Sequence, residues 1–521
     1  MKMRKLFAGI AAAATLLGGM ALSAASAQAD GSGTVVTSKV NFTFTAQDAK
    51  QLTNRKLDAY KIADYVQYGT GSNATYGVQT ADGVDRGTLK AALESATGKT
   101  VSETGDLMAW ALAEGVLDTT ESSKDTATGA WKNGASRKFV ETLKTKTGTL
   151  DTPTEVNLGN NLAEDGLSAT VTLPAGLYLF VDADYPAGTN EGATPSIAIL
   201  VGSGRVENRV LKDPSAEATV EIKNQTTTVS KTVSAATASA GQKVTYTITS
   251  RVPQNTQYYS DYGYTYTDTP SAGQTVHLDS LKVTVGGSDL NKGKDYTVDK
   301  GENGKFTVNI TSIKQQNAGD EIVVTYDAEV TEAEATGRKA VTNTVVLSDN
   351  GAKATASTSI TNGQFSFTKT DAQGKALAGA EFKIEGQNGV STPSTATATS
   401  ESNGTVTFKG LADGTYKVTE TEVPAGFQPN LKAAFTVTIT NGKAVKYTGA
   451  DTWGLAPSTE VSDNYTYKVK NVKNVTQLPL TGAAGTTLFT VVALLVAGAG
   501  VAVALKSRPA HALIRAQSLK Q

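Results

Sequence analysis

Hydrophobic and polar residues alternate along most of the second half of the chain. The segments Val244–Ile248, Phe306–Ile310 and Ile322–Tyr326 place apolar or aromatic residues at every second position, and turn-forming residues separate such segments. Alternation with a period of two is typical of β-strands that bury one face. Many such strands separated by turns predict a mainly β chain built from tandem immunoglobulin-like β-sandwiches.

The N-terminal region mixes strand patterns with a helical one. Between Thr88 and Leu117, apolar residues recur at helical spacing between glycines, which predicts a helical insertion. Leu173–Val181 and Ile197–Val201 are largely apolar and predict two buried strands, whereas the Ser/Thr-rich stretch Ser391–Ser402 predicts a solvated loop. We therefore predict an N-terminal domain followed by two β-sandwiches, at residues 30–215, 216–361 and 362–477.

The composition excludes several classes of function. The 521 residues include 48 lysines and arginines against 49 aspartates and glutamates, and a net charge of −1 gives no support for nucleic-acid binding. The absence of cysteine excludes disulfides and cysteine nucleophiles, and two histidines argue against a multi-histidine metal site or a histidine-based triad. We predict a protein that is not an enzyme and that uses no cofactor or metal.

The N-terminus has the features of a secretion signal. A basic start at residues 1–5 precedes the apolar run Leu6–Leu22 and the small residues of Ala27–Ala29. This order predicts a signal peptide at residues 1–29, whose removal leaves Asp30 as the first residue. An N-terminal membrane anchor is the alternative interpretation of the same run.

The C-terminal end combines three features in a fixed order. The sequence LPLTG at residues 478–482 is followed by an apolar stretch at residues 483–505 and a basic tail at residues 506–521. The apolar stretch is long enough to span a bilayer, and the basic tail would hold the end inside the cell. This arrangement resembles the sorting signal of Gram-positive proteins that a sortase attaches to peptidoglycan.

The resemblance implies a role for each residue of the LPLTG motif. Sortase would cut between Thr481 and Gly482. Because glycine has no side chain, the catalytic thiol of the sortase can approach the scissile carbonyl. Pro479 fixes a bend in the backbone, and Leu478 offers an apolar contact. The mature chain would then extend from Asp30 to Thr481.

Strand parity places three polar side chains in the core of the last domain. Side chains two residues apart lie on one face of a strand, and Lys369, Glu420 and Asn471 each follow apolar residues at this spacing. Those residues are Phe365 and Phe367 before the lysine, Tyr416 and Val418 before the glutamate, and Tyr465, Tyr467 and Val469 before the asparagine. Burial favours the neutral amine and the protonated acid, so the amine can attack an amide carbonyl that the acid polarises and release ammonia.

The same domain carries motifs of a known family. Three segments together resemble a Cna B-type domain, and the third matches the YxxxETxxPxG motif of that family: Phe365–Asp371, Leu377–Phe382 and Tyr416–Phe427. The resemblance implies an intramolecular isopeptide bond between Lys369 and Asn471, with Glu420 as the acid. Asn474, which lies off the apolar face, is the weaker candidate for the acceptor.

The middle domain repeats the pattern with less specific motifs. Parity places Lys231, Asp268 and Asn343 on apolar strand faces. The segments Val229–Val233 and Val341–Val345 resemble isopeptide-forming domains of pilin backbones, which implies that the lysine is the nucleophile, the asparagine the acceptor and the aspartate the acid. For both domains, ordinary edge residues or a buried ion pair are the alternative. No comparable trio is evident in the first domain.

The order of the motifs along the whole chain resembles that of sortase-assembled Gram-positive major pilins. In the first domain, Lys56–Ile62 and Leu173–Val181 contribute to this resemblance. It implies a shaft subunit of a covalently polymerised surface fimbria that mediates adhesion. The implied partners are pilin-type and housekeeping sortases, other copies of this chain, tip and base pilins, peptidoglycan and a host-surface receptor. The alternative is a monomeric wall-anchored adhesin or an accessory pilin.

A shaft subunit also needs a lysine that accepts Thr481 of the next subunit. Major pilins often present this lysine in a Tyr-Pro-Lys-Asn setting, which this chain lacks. The nearest match is Lys223 in Glu221–Gln225, and we expect its side chain to be exposed at the end of the first domain. Lys212 is the second candidate, and the alternative is that both are ordinary surface lysines.

Overall fold

The computed structural model describes three domains, and the first continues beyond the predicted boundary at residue 215, because the strand Ala218–Glu221 pairs with a strand of its sheet. The described residues are 33–101, 105–115, 117, 134–183, 192–207, 210–331, 340–461 and 466–478. The predicted signal peptide, the LPLTG motif after Leu478, the apolar stretch and the basic tail lie outside these ranges. Among the described helices, none is long and apolar enough to cross a membrane.

The first domain contains eleven described strands. These are β1 (Thr34–Val35), β2 (Lys39–Thr45), β3 (Lys56–Tyr68), β4 (Thr75–Thr80), β5 (Thr154–Asn157), β6 (Ser168–Pro174), β7 (Leu177–Asp182), β8 (Ile199–Gly202), β9 (Arg205–Glu207), β10 (Val210–Asp213) and β11 (Ala218–Glu221). In the larger sheet, β3 pairs with β1, β4, β5 and β7, and β8 extends the sheet beyond β7. A smaller sheet has the order β11-β2-β6, and β9 and β10 form a separate pair.

Aromatic side chains join the two sheets of the first domain. Phe42 and Phe44 lie two residues apart on β2, and their ring centroids are 5.9 Å and 5.0 Å from that of Phe180 on β7. All three side chains are buried. The strand predicted at Leu173–Val181 is interrupted between β6 and β7, where Gly176 adopts a φ of 155°.

The helical insertion of the first domain contains three described helices. These are α1 (Arg86–Thr97), α2 (Leu107–Ala113) and α3 (Ala135–Leu143). Asp85 and Asp106 cap α1 and α2, because their side chains accept hydrogen bonds from backbone N–H groups of the first turn. The sequence analysis predicted the region of α1 and α2 but missed α3, although its buried Phe139, Val140 and Leu143 follow a helical spacing.

The middle domain is a sandwich of two five-stranded sheets. Its strands are β12 (Ser230–Val233), β13 (Lys243–Arg251), β14 (Tyr264–Pro270), β15 (Gln274–Val285), β16 (Ser288–Asp289), β17 (Thr297–Lys300), β18 (Phe306–Asn309), β19 (Glu321–Val330), β20 (Ala340–Asp349) and β21 (Ala352–Thr361). One sheet has the order β12-β13-β19-β15-β16 and the other the order β17-β18-β14-β20-β21. Buried residues alternate along β13, β19 and β20, so their apolar faces form the core between the sheets.

The third domain is a sandwich of unequal sheets. Its strands are β22 (Gly363–Thr370), β23 (Glu381–Gly386), β24 (Thr397–Thr399), β25 (Thr405–Leu411), β26 (Gly414–Glu422), β27 (Ala434–Thr440), β28 (Lys443–Gly449), β29 (Thr459–Glu460) and β30 (Lys468–Lys470). The smaller sheet has the order β25-β22-β30, in which β22 and β30 run parallel, and the larger one has the order β24-β23-β26-β27-β28-β29. The prediction of a mainly β chain with tandem sandwiches is confirmed.

Backbone hydrogen bonds join the second and third domains directly. The N–H of Ala240 donates to the carbonyl oxygen of Gly410 at 2.8 Å, and the N–H of Ser394 donates to the carbonyl oxygen of Ala240 at 2.8 Å. Gly410 has a φ of 65°, and a Cβ at this position would lie 2.8 Å from the Cβ of Ala240. The prediction that Ser391–Ser402 is simply a solvated loop is therefore wrong, because the stretch contains β24 and an interdomain contact.

Candidate functional site

Lys369, Glu420 and Asn471 meet in the core of the third domain. The lysine lies on β22, the glutamate on β26, and the asparagine directly follows β30. Parallel pairing places Lys369 opposite Val469, and the N–H of Asn471 donates to the carbonyl oxygen of Thr370 at 2.9 Å. All three polar side chains are buried, as parity predicted, because the aromatic residues on the same strand faces occupy the core.

Glu420 lies between the lysine and the asparagine. The Nζ of Lys369 is 3.3 Å from Oε1 of Glu420, and the Nδ2 of Asn471 donates to Oε2 of Glu420 at 3.1 Å. The Nζ of Lys369 also donates to the carbonyl oxygen of Lys470 at 2.9 Å, and the N–H of Ala433 donates to Oε2 at 2.9 Å. The amine, the acid and the amide are therefore held within one hydrogen-bonded cluster.

Burial shifts the pKa values of the lysine and the glutamate in the directions that favour their neutral forms. Loss of solvation lowers the pKa of Lys369 from 10.5 to about 8, against the attraction of Glu420. Burial likewise raises the pKa of Glu420, against the lysine and the hydrogen bonds that it accepts. The Oδ1 of Asn471 is buried without a hydrogen-bond partner among the described residues. Both shifts favour the neutral amine and the protonated acid that attack on an amide carbonyl requires.

Asn474, the weaker candidate, lies outside this cluster. Its side chain is exposed, and its Oδ1 accepts a hydrogen bond from the hydroxyl of Thr476 at 2.5 Å. The structure thus brings Asn471, and not Asn474, to the lysine and the acid.

A second cluster lies in the core of the middle domain. Lys231 on β12, Asp268 on β14 and Asn343 on β20 come from three different strands, and all three side chains are buried. The Nζ of Lys231 forms an ion pair with Oδ2 of Asp268. Burial lowers the pKa of Lys231, and burial raises the pKa of Asp268 against its hydrogen bonds to the lysine, Tyr326 and Asn343. As in the third domain, the amide Oδ1 has no hydrogen-bond partner among the described residues.

Tyr326 is a member of the middle cluster that the sequence analysis missed. Its hydroxyl accepts a hydrogen bond from the Nζ of Lys231 at 2.9 Å and one from the Nδ2 of Asn343 at 2.8 Å, and it donates to Oδ1 of Asp268 at 3.1 Å. The alternation of the sequence predicts its strand, β19. An inward-facing aromatic residue on such a strand is usually an ordinary member of the hydrophobic core, so nothing marks Tyr326 as functional. No local signal in the sequence predicts this role, because the position of Tyr326 beside Lys231 depends on which strands pair.

Lys223 is buried, so the expectation of an exposed acceptor is wrong. Its side chain is 5% exposed, and its Nζ lies 3.3 Å from Oε2 of Glu221. Burial lowers the pKa of Lys223, although Glu221 acts in the opposite direction. The carbonyl oxygen of Lys223 accepts a hydrogen bond from the N–H of Ile197 at 3.0 Å, which holds the segment against the first domain. Lys212 lies on β10, and its side chain is not among those described.

The first domain has a buried ion pair of a different kind. Arg55 and Asp182 are fully buried, with Nη1 of the arginine 2.8 Å from Oδ2 of the aspartate. The guanidinium also donates to the carbonyl oxygens of Ala193 and Thr194 at 3.2 Å and 2.8 Å. Since a guanidinium stays protonated in proteins, this pair cannot supply a nucleophilic amine. Among the described residues, no group of histidine, cysteine and acidic side chains is arranged to hold a metal ion.

Three family models match successive parts of the chain. Residues 217–362 match the Sgo0707 N2 domain, residues 363–453 match the SpaA prealbumin-like fold domain, and residues 470–508 match the LPXTG cell wall anchor motif. A comparison with curated proteins found no match. The anchor match confirms the predicted localisation, a secreted protein anchored to the cell wall. Within the LPLTG motif, Leu478 is buried against the core of the third domain, and Pro479, Thr481 and Gly482 lie outside the described residues.

Solved structures of pilins resemble this chain along most of its length. The T6 backbone pilin of serotype M6 Streptococcus pyogenes, which has three domains, matches with a TM-score of 0.52 at 16% identity, over 84% of this chain and 100% of that one. The chain has the fold of a backbone pilin. The major pilin SpaD of Corynebacterium diphtheriae matches this chain with a TM-score of 0.48 at 18% identity, over 84% of this chain and 98% of that one. BcpA, the major pilin subunit of Bacillus cereus, matches with a TM-score of 0.42 at 16% identity, over 84% and 99%.

Proposed function

We propose that this protein is the shaft subunit of a covalently polymerised surface fimbria, and that two internal isopeptide bonds stabilise it. The observation that carries the proposal is the pair of buried clusters, each made of a lysine, an acid and an asparagine, in a chain with a wall anchor motif. A buried ion pair alone would explain the lysine and the acid but not the recurrence of a buried asparagine. The bonds replace the disulfides that a chain without cysteine cannot form.

The same reaction occurs in both clusters. The neutral amine of Lys369 attacks Cγ of Asn471, while the protonated Glu420, whose Oε2 lies 3.1 Å from Nδ2, polarises the amide group. The bond between Cγ and Nδ2 then breaks, and one proton moves from Nζ to the leaving nitrogen, which departs as ammonia. In the middle domain, Lys231, Asn343 and Asp268 take the corresponding roles. Each bond forms within the folded chain and needs no cofactor.

Polymerisation joins Thr481 of one subunit to a lysine of the next. Sortase cuts between Thr481 and Gly482 and transfers the acyl group to the amine of Lys223, the proposed acceptor. Glu221, at 3.3 Å from this amine, is placed to take up the proton that it loses. Head-to-tail linkage of this kind does not close on itself and produces an open fibre. Housekeeping sortase then attaches the fibre to peptidoglycan, and tip and base pilins complete it.

The burial of Lys223 favours a second candidate function. With a side chain 5% exposed, this lysine reaches a sortase only after the segment around it has opened. A monomeric wall-anchored adhesin or an accessory pilin needs no acceptor lysine and is compatible with a buried one. Lys212 is the alternative acceptor if a shaft is formed without Lys223.

The size distribution of the protein in wall extracts distinguishes the two functions. A shaft subunit is expected to give a ladder that resists boiling in SDS, whereas a monomeric adhesin gives a single band. The Lys223→Arg variant keeps the positive charge but has no competent nucleophile, so we expect it to reach the wall as a monomer. Lys282→Arg, at an exposed lysine of the middle domain, is the matched control and should leave the ladder intact. A ladder that persists in Lys223→Arg and vanishes in Lys212→Arg would assign the acceptor to Lys212.

A further inference from the structure

The hydroxyl of Tyr326 lies between the three reacting groups of the middle domain. It accepts hydrogen bonds from Nζ of Lys231 at 2.9 Å and from Nδ2 of Asn343 at 2.8 Å, and it donates to Oδ1 of Asp268 at 3.1 Å. Tyr326 is buried on β19, the central strand of its sheet. One oxygen atom therefore contacts the attacking nitrogen, the leaving nitrogen and the acid.

We propose that Tyr326 is a catalytic residue that relays a proton to the leaving ammonia of the middle-domain cross-link. This inference rests on the proposed isopeptide bond and adds a residue to its mechanism. As Nζ of Lys231 bonds to Cγ of Asn343, the tyrosine hydroxyl gives its proton to Nδ2 and takes one from the Asp268 carboxyl. Nζ of Lys231 gives a proton to Asp268, which restores its carboxyl group, and the bond between Cγ and Nδ2 breaks. The products are an amide and ammonia, and the tyrosine and the aspartate end as they began.

The environment of the tyrosine suits a relay between neutral groups. Burial and the neighbouring Asp268 raise the pKa of Tyr326 far above its usual value, so the hydroxyl keeps its proton at all physiological pH values. The ring of Tyr246 stacks on that of Tyr326 with centroids 5.4 Å apart, and the ring of Phe306 contacts it edge-on at 5.1 Å. These contacts hold the hydroxyl in one position, so little reorganisation is needed when the proton moves.

The third domain is connected in a different way. There Oε2 of Glu420 accepts a hydrogen bond directly from Nδ2 of Asn471 at 3.1 Å, and the ring centroid of Phe382, which carries no hydroxyl, lies 5.6 Å from the lysine amine. Asp268 of the middle domain is likewise hydrogen-bonded to both Lys231 and Asn343, so the difference between the clusters is the additional tyrosine hydroxyl. In the middle domain the shorter Asp268 is supplemented by the hydroxyl of Tyr326. The relay is therefore expected in the middle domain and not in the third.

A pulse–chase experiment on the full-length chain tests the relay. Newly made protein is labelled, digested at successive times, and the cross-linked and free peptides that contain Lys231 and Lys369 are quantified by mass spectrometry. In Tyr326→Phe, which removes one oxygen atom, we expect the middle-domain bond to form about tenfold more slowly or slower still. The third-domain bond of the same molecules should form at the wild-type rate, which shows that the third domain of the variant folds.

Tyr266→Phe provides the matched control. This tyrosine is buried in the same core, and its hydroxyl is hydrogen-bonded to that of Ser250 at 2.5 Å, away from the cluster. We expect both bonds to form at wild-type rates in the control. Wild-type kinetics of the middle bond in Tyr326→Phe, or an equal slowing in both variants, would overturn the relay. If instead the wild-type chain yields no cross-linked peptide from either domain, the proposed isopeptide chemistry fails as a whole.

Discussion

The hydroxyl of Thr227 donates a hydrogen bond of 2.9 Å to Oδ2 of Asp349. Thr227 belongs to the segment that leaves the first domain, and Asp349 ends β20 in the middle domain, so this contact fixes the path of the chain between them. The other carboxyl oxygen, Oδ1, accepts a hydrogen bond from the hydroxyl of Tyr262 at 2.7 Å. Burial raises the pKa of Asp349 from 3.8 to about 6 despite these hydrogen bonds.

The raised pKa predicts that the joint between the first two domains weakens as the pH rises. Because the folded-state pKa lies above the unfolded-state value, the stability contributed by the protonated carboxyl is full below pH 3.8 and is lost as the pH passes through about 6. Asp349→Asn removes the titration, so its melting temperature relative to the wild type should increase from pH 4 to pH 7. Calorimetry at several pH values measures this difference. Asp299 is exposed, and Asp299→Asn is the control. An equal trend in both variants would contradict the assignment of the pH dependence to Asp349.

Two internal bonds predict a mass deficit. The chain from Asp30 to Gln477 should weigh less than its sequence by two ammonia masses, and Lys369→Ala should restore one of them. Losing a bond that closes a loop of about 100 residues should lower the free energy of unfolding by about 4–5 kcal/mol, on the chain-entropy account. Intact-mass spectrometry and thermal unfolding measure the two effects.

A lysine outside the cluster serves as the control for this variant. Lys383 lies on β23, and its amine forms an exposed ion pair with Glu385 at 2.7 Å. Lys383→Ala should keep both mass deficits and leave the free energy of unfolding nearly unchanged, because exposed ion pairs contribute little to stability. A wild-type mass equal to the sequence sum would show that both clusters are ordinary ion pairs.

Attachment to the wall should depend on Thr481. Thr481→Ala removes the residue whose carbonyl forms the acyl intermediate with sortase, so we expect the protein to remain in the membrane fraction or to enter the medium. The fraction released by muramidase, probed with an antibody, reports the outcome. Thr476→Ala, five positions before the cleavage site, should leave wall attachment unchanged. Recovery of Thr481→Ala in the muramidase fraction would show that LPLTG is not the functional signal.

The opening that exposes Lys223 should be slow, because hydrogen bonds of neighbouring residues hold its segment against the first domain. The amide of Gln51 donates from Nε2 to the carbonyl oxygen of Asn224 at 2.8 Å, and Nδ2 of Asn224 donates to the carbonyl oxygen of Gln51 at 2.9 Å. Gln51→Ala removes the first of these hydrogen bonds, a second one from Nε2 to Oδ1 of Asn224, and two that Oε1 accepts from the backbone N–H groups of Gln47 and Asp48. At about 1 kcal/mol for each buried hydrogen bond, the open state should become at least about fivefold more populated and the ladder should form faster. Time courses of wall extracts measure this rate. Gln79→Ala on β4 is the control, and unchanged kinetics in Gln51→Ala would mean that opening is not limiting.

The sequence was most informative where strands alternate strictly. Phe367 and Val418 must face the core of the third domain, and a period of two then fixes the side on which Lys369 and Glu420 lie. The structure accordingly places both polar side chains in the core, next to Asn471. Parity needs no knowledge of which strands are neighbours, so the burial of these side chains could be predicted from local pattern, whereas their grouping into two trios rested on the family resemblance.

Features that depend on long-range contacts could not be predicted in this way. Lys223 has the local sequence of a solvated lysine, but its backbone is held by residues distant in the sequence, such as Ser196, whose hydroxyl accepts a hydrogen bond from the backbone N–H of Lys223 at 3.2 Å. Tyr326 was expected in the core as an aromatic side chain, but its place beside Lys231 depends on the pairing of β12 and β19 with opposite edges of β13.

The position of β30 beside β22 determines how a pulling force would pass through the third domain. The chain enters this domain at the start of β22 and leaves it after β30, and the two strands are parallel neighbours over the three residue pairs from Thr368 to Thr370. Tension applied at the two ends would load these few hydrogen bonds in shear. A covalent link from Lys369 to Asn471 would take over that load at the same place, so the strands between them would carry none of it. The third domain would then transmit tension without lengthening.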